Sequence, residues 1–595
     1  MSGKRRNEQR DVISKMFFSA AIVMIFTQVT GVIATIIDGV ITSNFLGEEA
    51  YSAVALIGPV TNIVILFATF IATGSQIVCS REIGIGKKDE ANAVFSFSVI
   101  AGIVLSVLLA LFAFFFPEAL MTICGVSRSA RPELHAYMAD YLRGYLIGIP
   151  AVIMVQILGP FLVIDGGQKL VSLSAAVLCV SDVAFDLLNA LVFRRGILGM
   201  AFATSMSLWL QLIVLILFFA KKTGFFRFAP SRLSGKKLWE ITRNGLFPFV
   251  RKLATILRDI LVNRINLMVA FTTAAISAKG IQNDANQLMF CLGLGIGKAL
   301  LTMTAMYYGA NDRNGLRRSF SYAMKFSIII SGVCGAVLFL AAPAVVRIYT
   351  DEPEVMSLAV FSVRCMALSL VLDTASVAYQ DYLQGIGSRV IVNVLCFAER
   401  FFLPVAAAYV LGMSFGSKGI MASTAVSKLV LVVLVFAYLC IRCKGIPRRW
   451  EDFMLLPADF GGSSEENLDM NVSSWEDVIR LSEETYEFCL AHQVSSKNAG
   501  YMSLFVEEMA GNIVTHGEPK SKDGTCLSCR IWAHDGEATL TMRDYCRAFD
   551  PLKYFEIHQA ENPESMIGIR MVMKLANNIK YINTFNSNCI LIHMN

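Results

Sequence analysis

Apolar stretches long enough to cross a bilayer recur along most of this chain, and they constrain its fold more than any other feature. Residues 17–37 are 21 consecutive positions without a charge, and residues 50–80, 91–117, 144–164 and 326–346 are similar. A helix needs roughly 20 residues to cross a hydrocarbon core about 30 Å thick. Helix is the expected form because backbone groups in lipid must be satisfied within their own segment. Weaker or interrupted runs at 170–193, 196–220, 247–271, 286–310, 365–384, 401–416 and 429–441 bring the total to twelve. A mean hydropathy of +0.58 and 16% charged residues, where soluble domains carry about 25%, exclude an ordinary soluble protein. The first run is too long, and lacks the small-residue cleavage site, to be a removable signal peptide. After Lys444 the chain reads as a soluble domain.

Lysine and arginine in short loops set orientation. Lys4, Arg5, Arg6 and Arg10 precede the first run, and Arg81, Lys87 and Lys88 follow the second. Lys221, Lys222, Arg227, Lys236 and Lys237 follow the sixth, Arg313, Arg317 and Arg318 the eighth, and Arg442, Lys444, Arg448 and Arg449 the twelfth. Alternate loops carry Glu48 and Glu49, or Asp351, Glu352 and Glu354, with Arg194 and Arg195 as the exception. Both termini are expected on the cytoplasmic side of a bacterial plasma membrane. The net charge of +6 reflects this bias, and no nucleic-acid partner is expected. The fourteen cysteines are scattered; Cys526 with Cys529, and Cys440 with Cys443, lack the second pair that a structural zinc site needs.

The two membrane halves repeat. GSQIVCSREIGIGKKDEAN from Gly74 pairs with GIGKALLTMTAMYYGANDRNG from Gly295, and FFFPEALMTICGVS from Phe114 with LAAPAVVRIYTDEP from Leu340. LVIDGGQK pairs with DYLQGIGSR, and GILGMAFATSMSLWLQL with GSKGIMASTAVSKLVLV, all in one order at an offset of roughly 220 residues. A parallel repeat with an even number of helices per half gives two six-helix lobes facing a central cavity, whose rocking would alternate access. This order, the repeat and the loop motifs, with TIIDGVITSNFLGEEAYSAVALIGPV in the first two helices and GMAFAT in the sixth, resemble the multidrug and toxic compound extrusion (MATE) transporters over about residues 14–442. The resemblance implies export of small organic, usually cationic, compounds in exchange for Na+ or H+.

Carboxylates inside a span are costly and mark function by default. Asp38 is expected in the last turn of the first helix, and Asp182 and Asp186, four apart in the fifth, share one helix face. Two desolvated carboxylates this close repel, and a proton or Na+ relieves the repulsion. The resemblance implies a cation-coupling site at Asp38, Asp182, Asp186 and Thr204, with Asp182 standing where the family usually has Asn. In the second half Asp373 matches a further acidic position, but no Glu occupies the seventh helix. That helix carries Arg251, Lys252, Arg258 and Asp259, read either as internal ion pairs or as a cavity for an anionic substrate; Glu399 and Arg400 enter the eleventh.

After a linker over 443–470, the tail alternates helices and strands. Ser473 or Ser474 caps a helix from 475 to about 492, a second helix runs from about 497 to 516, and HDGEA makes an Asp-Gly hairpin turn. A helix from about 565 to 577 precedes two closing strands. The order resembles the histidine-kinase-like (GHKL) ATPase fold, nearest to the anti-sigma-factor serine kinases, over about residues 471–595. VEEMAGNIVTHG resembles the family's N-box, which implies Glu508 as catalytic general base and Asn512 as Mg2+ ligand; RDYCRAFDP implies Asp544 on adenine; SMIGIRMVMKLANNIKY implies phosphate binding near Gly568. Cys546 and Met566 replace glycines of those boxes.

The expected architecture is therefore a polytopic all-α membrane protein of twelve transmembrane helices in two six-helix lobes (14–222 and 236–442), followed by a C-terminal soluble α+β sandwich domain (471–595). The expected activity is H+- or Na+-coupled antiport of organic compounds, with a regulatory tail that takes ATP and Mg2+, or acts as a weak ATPase or kinase, or holds a regulatory protein. A flippase for an anionic or lipid-linked envelope precursor and a membrane sensor are the alternatives, with membrane lipid as a partner. No GxxxxGK[ST] sequence occurs, which excludes a P-loop-driven pump.

Overall fold

The computed structural model describes residues 12–124, 132–220, 224–229, 234–269, 273–350, 352–457, 460–462, 464–520, 527–558 and 567–594. The N-lobe contains α1 (Val12–Leu46), α2 (Glu48–Gly84), α3 (Lys88–Phe115), the short α4 (Pro117–Ile123), α5 (Pro132–Leu146), α6 (Ile149–Ile164), α7 (Gln168–Leu188) and α8 (Gly196–Ala220). Helices α5 and α6 form one span broken by a 51° bend, so this lobe has six spans.

The C-lobe contains α9 (Gly235–Val269), α10 (Thr273–Gly309), α11 (Arg313–Arg347), α12 (Pro353–Gly385), α13 (Arg389–Phe397) and α14 (Leu403–Arg442). The helical run Arg389–Arg442 is 54 residues long. That is roughly 80 Å at the α-helical rise, too long for one crossing. Gly416, at φ 62° and ψ −143°, breaks it into the eleventh and twelfth spans. Helix α9 carries nine charged residues, so its apolarity alone understates it as a span.

The sequence repeat reappears as a repeat of backbone conformation. Gly86 (φ 79°) corresponds to Asn311 (φ 53°), Gly166 (φ 83°) to Gly387 (φ 81°), and Gly196 (φ 62°) to Gly416 (φ 62°). Each is a left-handed residue turning the chain between spans, a conformation that Gly adopts without penalty and Asn tolerates.

The lobes meet closely at the end nearer the C-terminal domain, here the tail side. A Cβ on Gly84 of α2 would lie 2.0 Å from the Met306 carbonyl of α10, and one on Gly309 of α10 would lie 2.3 Å from the Arg81 carbonyl of α2. A Cβ on Gly74 would lie 2.2 Å from the Ile241 carbonyl of α9. The Arg81 guanidinium donates to the Gly385 carbonyl at 2.8 Å, and Gln76 hydrogen-bonds Thr302 in the same buried seam. Glycines let these helices approach to backbone contact, closing the bundle on the tail side.

The C-terminal domain is a five-stranded antiparallel sheet, β1 (Asn467–Val472), β2 (Leu527–His534), β3 (Glu537–Asp544), β4 (Asn578–Thr584) and β5 (Ser587–Met594), in the order β1-β2-β3-β5-β4. Of its helices α16 (Trp475–Ala491), α17 (Ser496–His516), α18 (Pro551–Ile557) and α19 (Ile567–Leu575), the first two and α19 cover one face. Ser474 is the N-cap of α16 in a capping box with Asp477. Asp535 and Gly536, both left-handed, make the β2–β3 turn. The domain begins earlier than expected: the end of the 443–470 stretch is strand β1, paired antiparallel with β2 from Asn467 opposite Trp532. Only Leu468, Met470 and Val472 alternate there among Asn and Asp, too short a period-two signal to read. The rest of that stretch includes the short α15 (Trp450–Phe453), anchored on α12 by hydrogen bonds from Tyr379 to the Phe453 carbonyl and from Tyr382 to the Met454 carbonyl, each 2.9 Å.

Candidate functional site

Three carboxylates converge in the N-lobe. Asp38 does not sit in the last turn of its helix, because α1 continues to Leu46. It is 9% exposed, Asp182 5% and Asp186 1%, so none reaches solvent by way of a helix end. Helix periodicity puts Asp182 and Asp186 on the face of α7 that meets α1, beside Asp38. Desolvated carboxylates this close repel, and a proton or a bound cation relieves the repulsion. Thr42, one turn beyond Asp38, donates to it at 3.3 Å, and Ser207 of α8 donates to Asp182 at 2.9 Å. Thr204 also faces Asp182, and its hydroxyl reaches the Met200 carbonyl at 3.3 Å. Tyr141 of α5 is buried near all three acids. One oxygen of Asp186 has no hydrogen-bond partner, and no ion pair to any of the three occurs among the described residues. The acids were legible in the sequence. Ser207 and Tyr141 were not, because a Ser and a Tyr in apolar helices carry no signal until the fold aims them.

The C-lobe is arranged in the opposite sense. Asp373 of α12, expected with the coupling acids, is held by Lys428 of α14, whose ammonium also bonds Glu399. Arg400 lies 3.7 Å from both carboxylates and over the Phe290 ring at 4.6 Å. Glu399 also accepts from Ser376 at 2.6 Å and from Gln380. A π-helical turn at Ala398–Phe402 lets the consecutive Glu399 and Arg400 both turn inward. Two acids and two bases balance here, which is how buried charge is tolerated.

The basic face of α9 is also largely paired. Arg251 bridges to Asp381 at 3.1 Å and lies over the Phe247 ring, Arg258 pairs with its neighbour Asp259 at 2.8 Å, and Lys252 donates to Asn62 of the other lobe at 3.0 Å. Arg251 and Arg258 make internal ion pairs, whereas Lys252 meets only a neutral amide and one Arg251 nitrogen is buried without a hydrogen-bond partner among the described residues.

In the C-terminal domain Glu508 and Asn512 lie one turn apart on α17. A Cβ on Gly568, at the start of α19, would lie 1.7 Å from the Glu508 carboxylate, so any side chain there would have to displace that acid. Asp544 ends β3 and is 3% exposed, its carboxyl fixed by the Asn588 amide at 2.8 Å and the Cys546 N–H at 2.9 Å. Burial pushes the Asp544 carboxyl above the usual range, and those hydrogen bonds oppose the shift. Cys546 is itself buried, its sulfur 3.0 Å from where a Cβ on Gly517 would stand. The Ile513 carbonyl lies closer still, 2.3 Å from the same point, so a side chain at 517 would meet backbone as well as the thiol. Met566 and Cys526 lie outside the described residues; Cys529 is buried in β2.

Comparison with known proteins follows this division. Residues 24–188 and 257–410 match the MatE family, and residues 473–594 match the histidine kinase-like ATPase domain. The multidrug export protein MepA of Staphylococcus haemolyticus is 22% identical over 413 residues, covering 68% of this chain and 89% of that protein. MepA of a bovine Staphylococcus aureus strain is 23% identical over 419 residues, covering 69% and 91%. Among solved structures, an outward-facing multidrug resistance MATE transporter of the MOP superfamily superposes with a TM-score of 0.68 at 21% identity, covering 73% of this chain and 97% of that one. A MOP-superfamily transporter from Pyrococcus furiosus, described by the reverse polarity of its binding pocket, superposes at 0.67 with the same identity and coverage.

Proposed function

The chain belongs to the MatE family, and we propose that it is a secondary-active antiporter that exports small organic compounds, driven by H+ or Na+ moving through the N-lobe acids. The observation that carries this reading is the contrast between the lobes. Asp373 and Glu399 each have a built-in cation, whereas Asp38, Asp182 and Asp186 are equally buried with none among the described residues. An imported proton or Na+ would supply the missing charge at Asp38, Asp182 and Asp186, with Thr204, Ser207 and Thr42 as neutral donors or ligands around it. Protonating or filling the trio removes its internal repulsion, and that free-energy change is available to bias the lobes between two arrangements. The tail side is then the cytoplasmic side of a bacterial plasma membrane. Organic cations are the expected cargo, because the MepA relatives are multidrug exporters and the C-lobe acids and bases neutralise one another.

The tail reads as a nucleotide-binding regulator. Asp544 would hold adenine, Asn512 would ligate Mg2+, backbone at Gly568 would hold phosphate, and Glu508 is placed as a general base for weak hydrolysis or phosphotransfer; bound ATP would supply the transferable phosphoryl group. The buried Asp544 carboxyl, fixed by Asn588 and the Cys546 N–H, supports this fit.

The test is extrusion of a fluorescent cationic dye from everted vesicles under an imposed H+ or Na+ gradient. Gradient-driven movement that disappears in Asp38→Asn is expected. Movement unaffected by Asp38→Asn and by Asp186→Asn, in folded protein, would refute coupling through the trio.

A further inference from the structure

The sheet of the C-terminal domain has a second face, and that face lies across the seam between the lobes. Side chains alternate along a strand, so consecutive residues serve opposite faces. Asp544 points to the helical layer, and its neighbour Arg543 points to the membrane domain. Arg543 bonds Asp312 in the α10–α11 turn at 2.8 Å and lies over the Tyr307 ring at 4.8 Å. Arg530 of β2 reaches the other oxygen of Asp312 at 3.4 Å and donates to the Asn311 carbonyl at 3.1 Å. The β1–β2 edge is thus fastened to the C-lobe.

The opposite edge is fastened to the N-lobe. In the β4–β5 turn the Phe585 amide donates to the Ile164 carbonyl at 2.7 Å, and its side chain is 1% exposed in the core of the membrane domain. Phe585 sits at φ 52°, a left-handed conformation costly for a bulky residue, which persists where surrounding contacts outweigh it. A Cβ on Gly86, in the α2–α3 turn, would lie 2.9 Å from the Lys580 side chain of β4. The loops carrying Ile164 and Gly86 belong to one lobe, and the one carrying Asp312 belongs to the other.

We propose that the C-terminal domain is a built-in clamp: its rigid sheet bridges the two lobes and holds the transporter closed on the tail side, so that each transport cycle requires one edge of the sheet to let go. A five-stranded sheet does not stretch. Rocking that separates the tail-side loops must therefore break the Phe585 contact or the Arg530–Arg543–Asp312 cluster. The α15 segment, anchored on α12, keeps the domain with the C-lobe, so the β4–β5 turn is the edge that releases. The clamp rests on these contacts and not on nucleotide binding.

The experiment measures the separation of spin labels carried on unnatural residues at Arg195 and Lys418, which flank the corresponding breaks at Gly196 and Gly416 at the end away from the tail. The full-length chain is used in lipid nanodiscs. Phe585→Gly is the main variant, because glycine suits the turn and leaves the domain's own fold at least as stable. Arg530→Ala with Arg543→Ala loosens the other edge, and Arg543→Lys keeps the charge. Each loosening variant is expected to raise the short-separation population, closed at the labelled end, at least fivefold, while Arg543→Lys stays near wild type. Limited proteolysis between residues 443 and 466 reports release of the domain. Unchanged separations overturn the clamp, whether the domain is released without effect on the lobes or stays docked without these contacts.

Discussion

Substituting Gly84 by Ala tests the packing that closes the bundle on the tail side. The new Cβ would stand 2.0 Å from the Met306 carbonyl oxygen and 2.8 Å from the Ala310 nitrogen, both backbone atoms of the other lobe. No side-chain rotation relieves such a contact, so α2 and α10 must separate by roughly 1 Å or more to regain ordinary van der Waals distance. Overpacking of this kind costs about 1–3 kcal/mol. The cost falls on the tail-side-closed arrangement alone, because the two helices part there when the lobes rock. The equilibrium therefore shifts toward the tail-side-open form by roughly 5- to 150-fold. A reporter cysteine at Leu301, buried in the seam with Ile77 and Ala305, reads this as its rate of alkylation by an impermeant maleimide added to everted vesicles. Peptide-resolved mass spectrometry separates it from the native cysteines. Gly159→Ala is the control, since a Cβ there meets open space. An alkylation rate in Gly84→Ala equal to that of the control would refute the assignment of this crossing as the tail-side seal.

Lys428→Met leaves Asp373 and Glu399 with Arg400 as their only ion-pair partner among the described residues, and breaking a buried pair costs about 3–5 kcal/mol; the apparent melting temperature in detergent is expected to fall by several degrees and to recover largely when Asp373→Asn alone is added, which leaves Glu399 balanced by Arg400. The Arg530–Arg543–Asp312 cluster should hold the C-lobe side of the tail unchanged between pH 5 and 8. Arg530 and Arg543 hold the Asp312 carboxyl below its ordinary 3.8 against the opposing effect of burial, so the stability it lends is present above about pH 4 and lost only as pH falls through that lowered value; protease protection of the 443–466 stretch against pH checks this, and loss of protection near pH 6 would contradict it. Gly568→Ala must displace the Glu508 carboxylate, so the thermal shift of the full chain with ATP and Mg2+ is expected to need at least tenfold more nucleotide, while expression and melting temperature without nucleotide stay unchanged.

The sequence by itself determined the membrane class, the repeat and the identity of the acids, because each is a local property. An uncharged run of 21 residues has one inexpensive way to satisfy its backbone in lipid, and residues four apart on a helix share a face wherever that helix goes. The left-handed turns at Gly166 and Gly387 were likewise foreshadowed by the paired DGGQK and GIGSR motifs. Only the tertiary structure decided which charges are compensated. Asp373 and Lys428 are 55 positions apart, and nothing along the chain says that α12 and α14 bring them together while Asp38 receives no such partner among the described residues. The seal has the same character: a glycine in an apolar run reads as a weak helix former until another backbone lies 2.0 Å from where its Cβ would be. Farthest from the sequence is the placement of the tail. Strand alternation assigns Arg543 and Asp544 to opposite faces, but what the Arg543 face meets depends on Asp312, 231 residues earlier, and on a turn at Phe585 whose conformation its own residues disfavour. Long-range contacts between charges and between backbones are set by which surfaces the fold brings together, and local propensity contains no record of them.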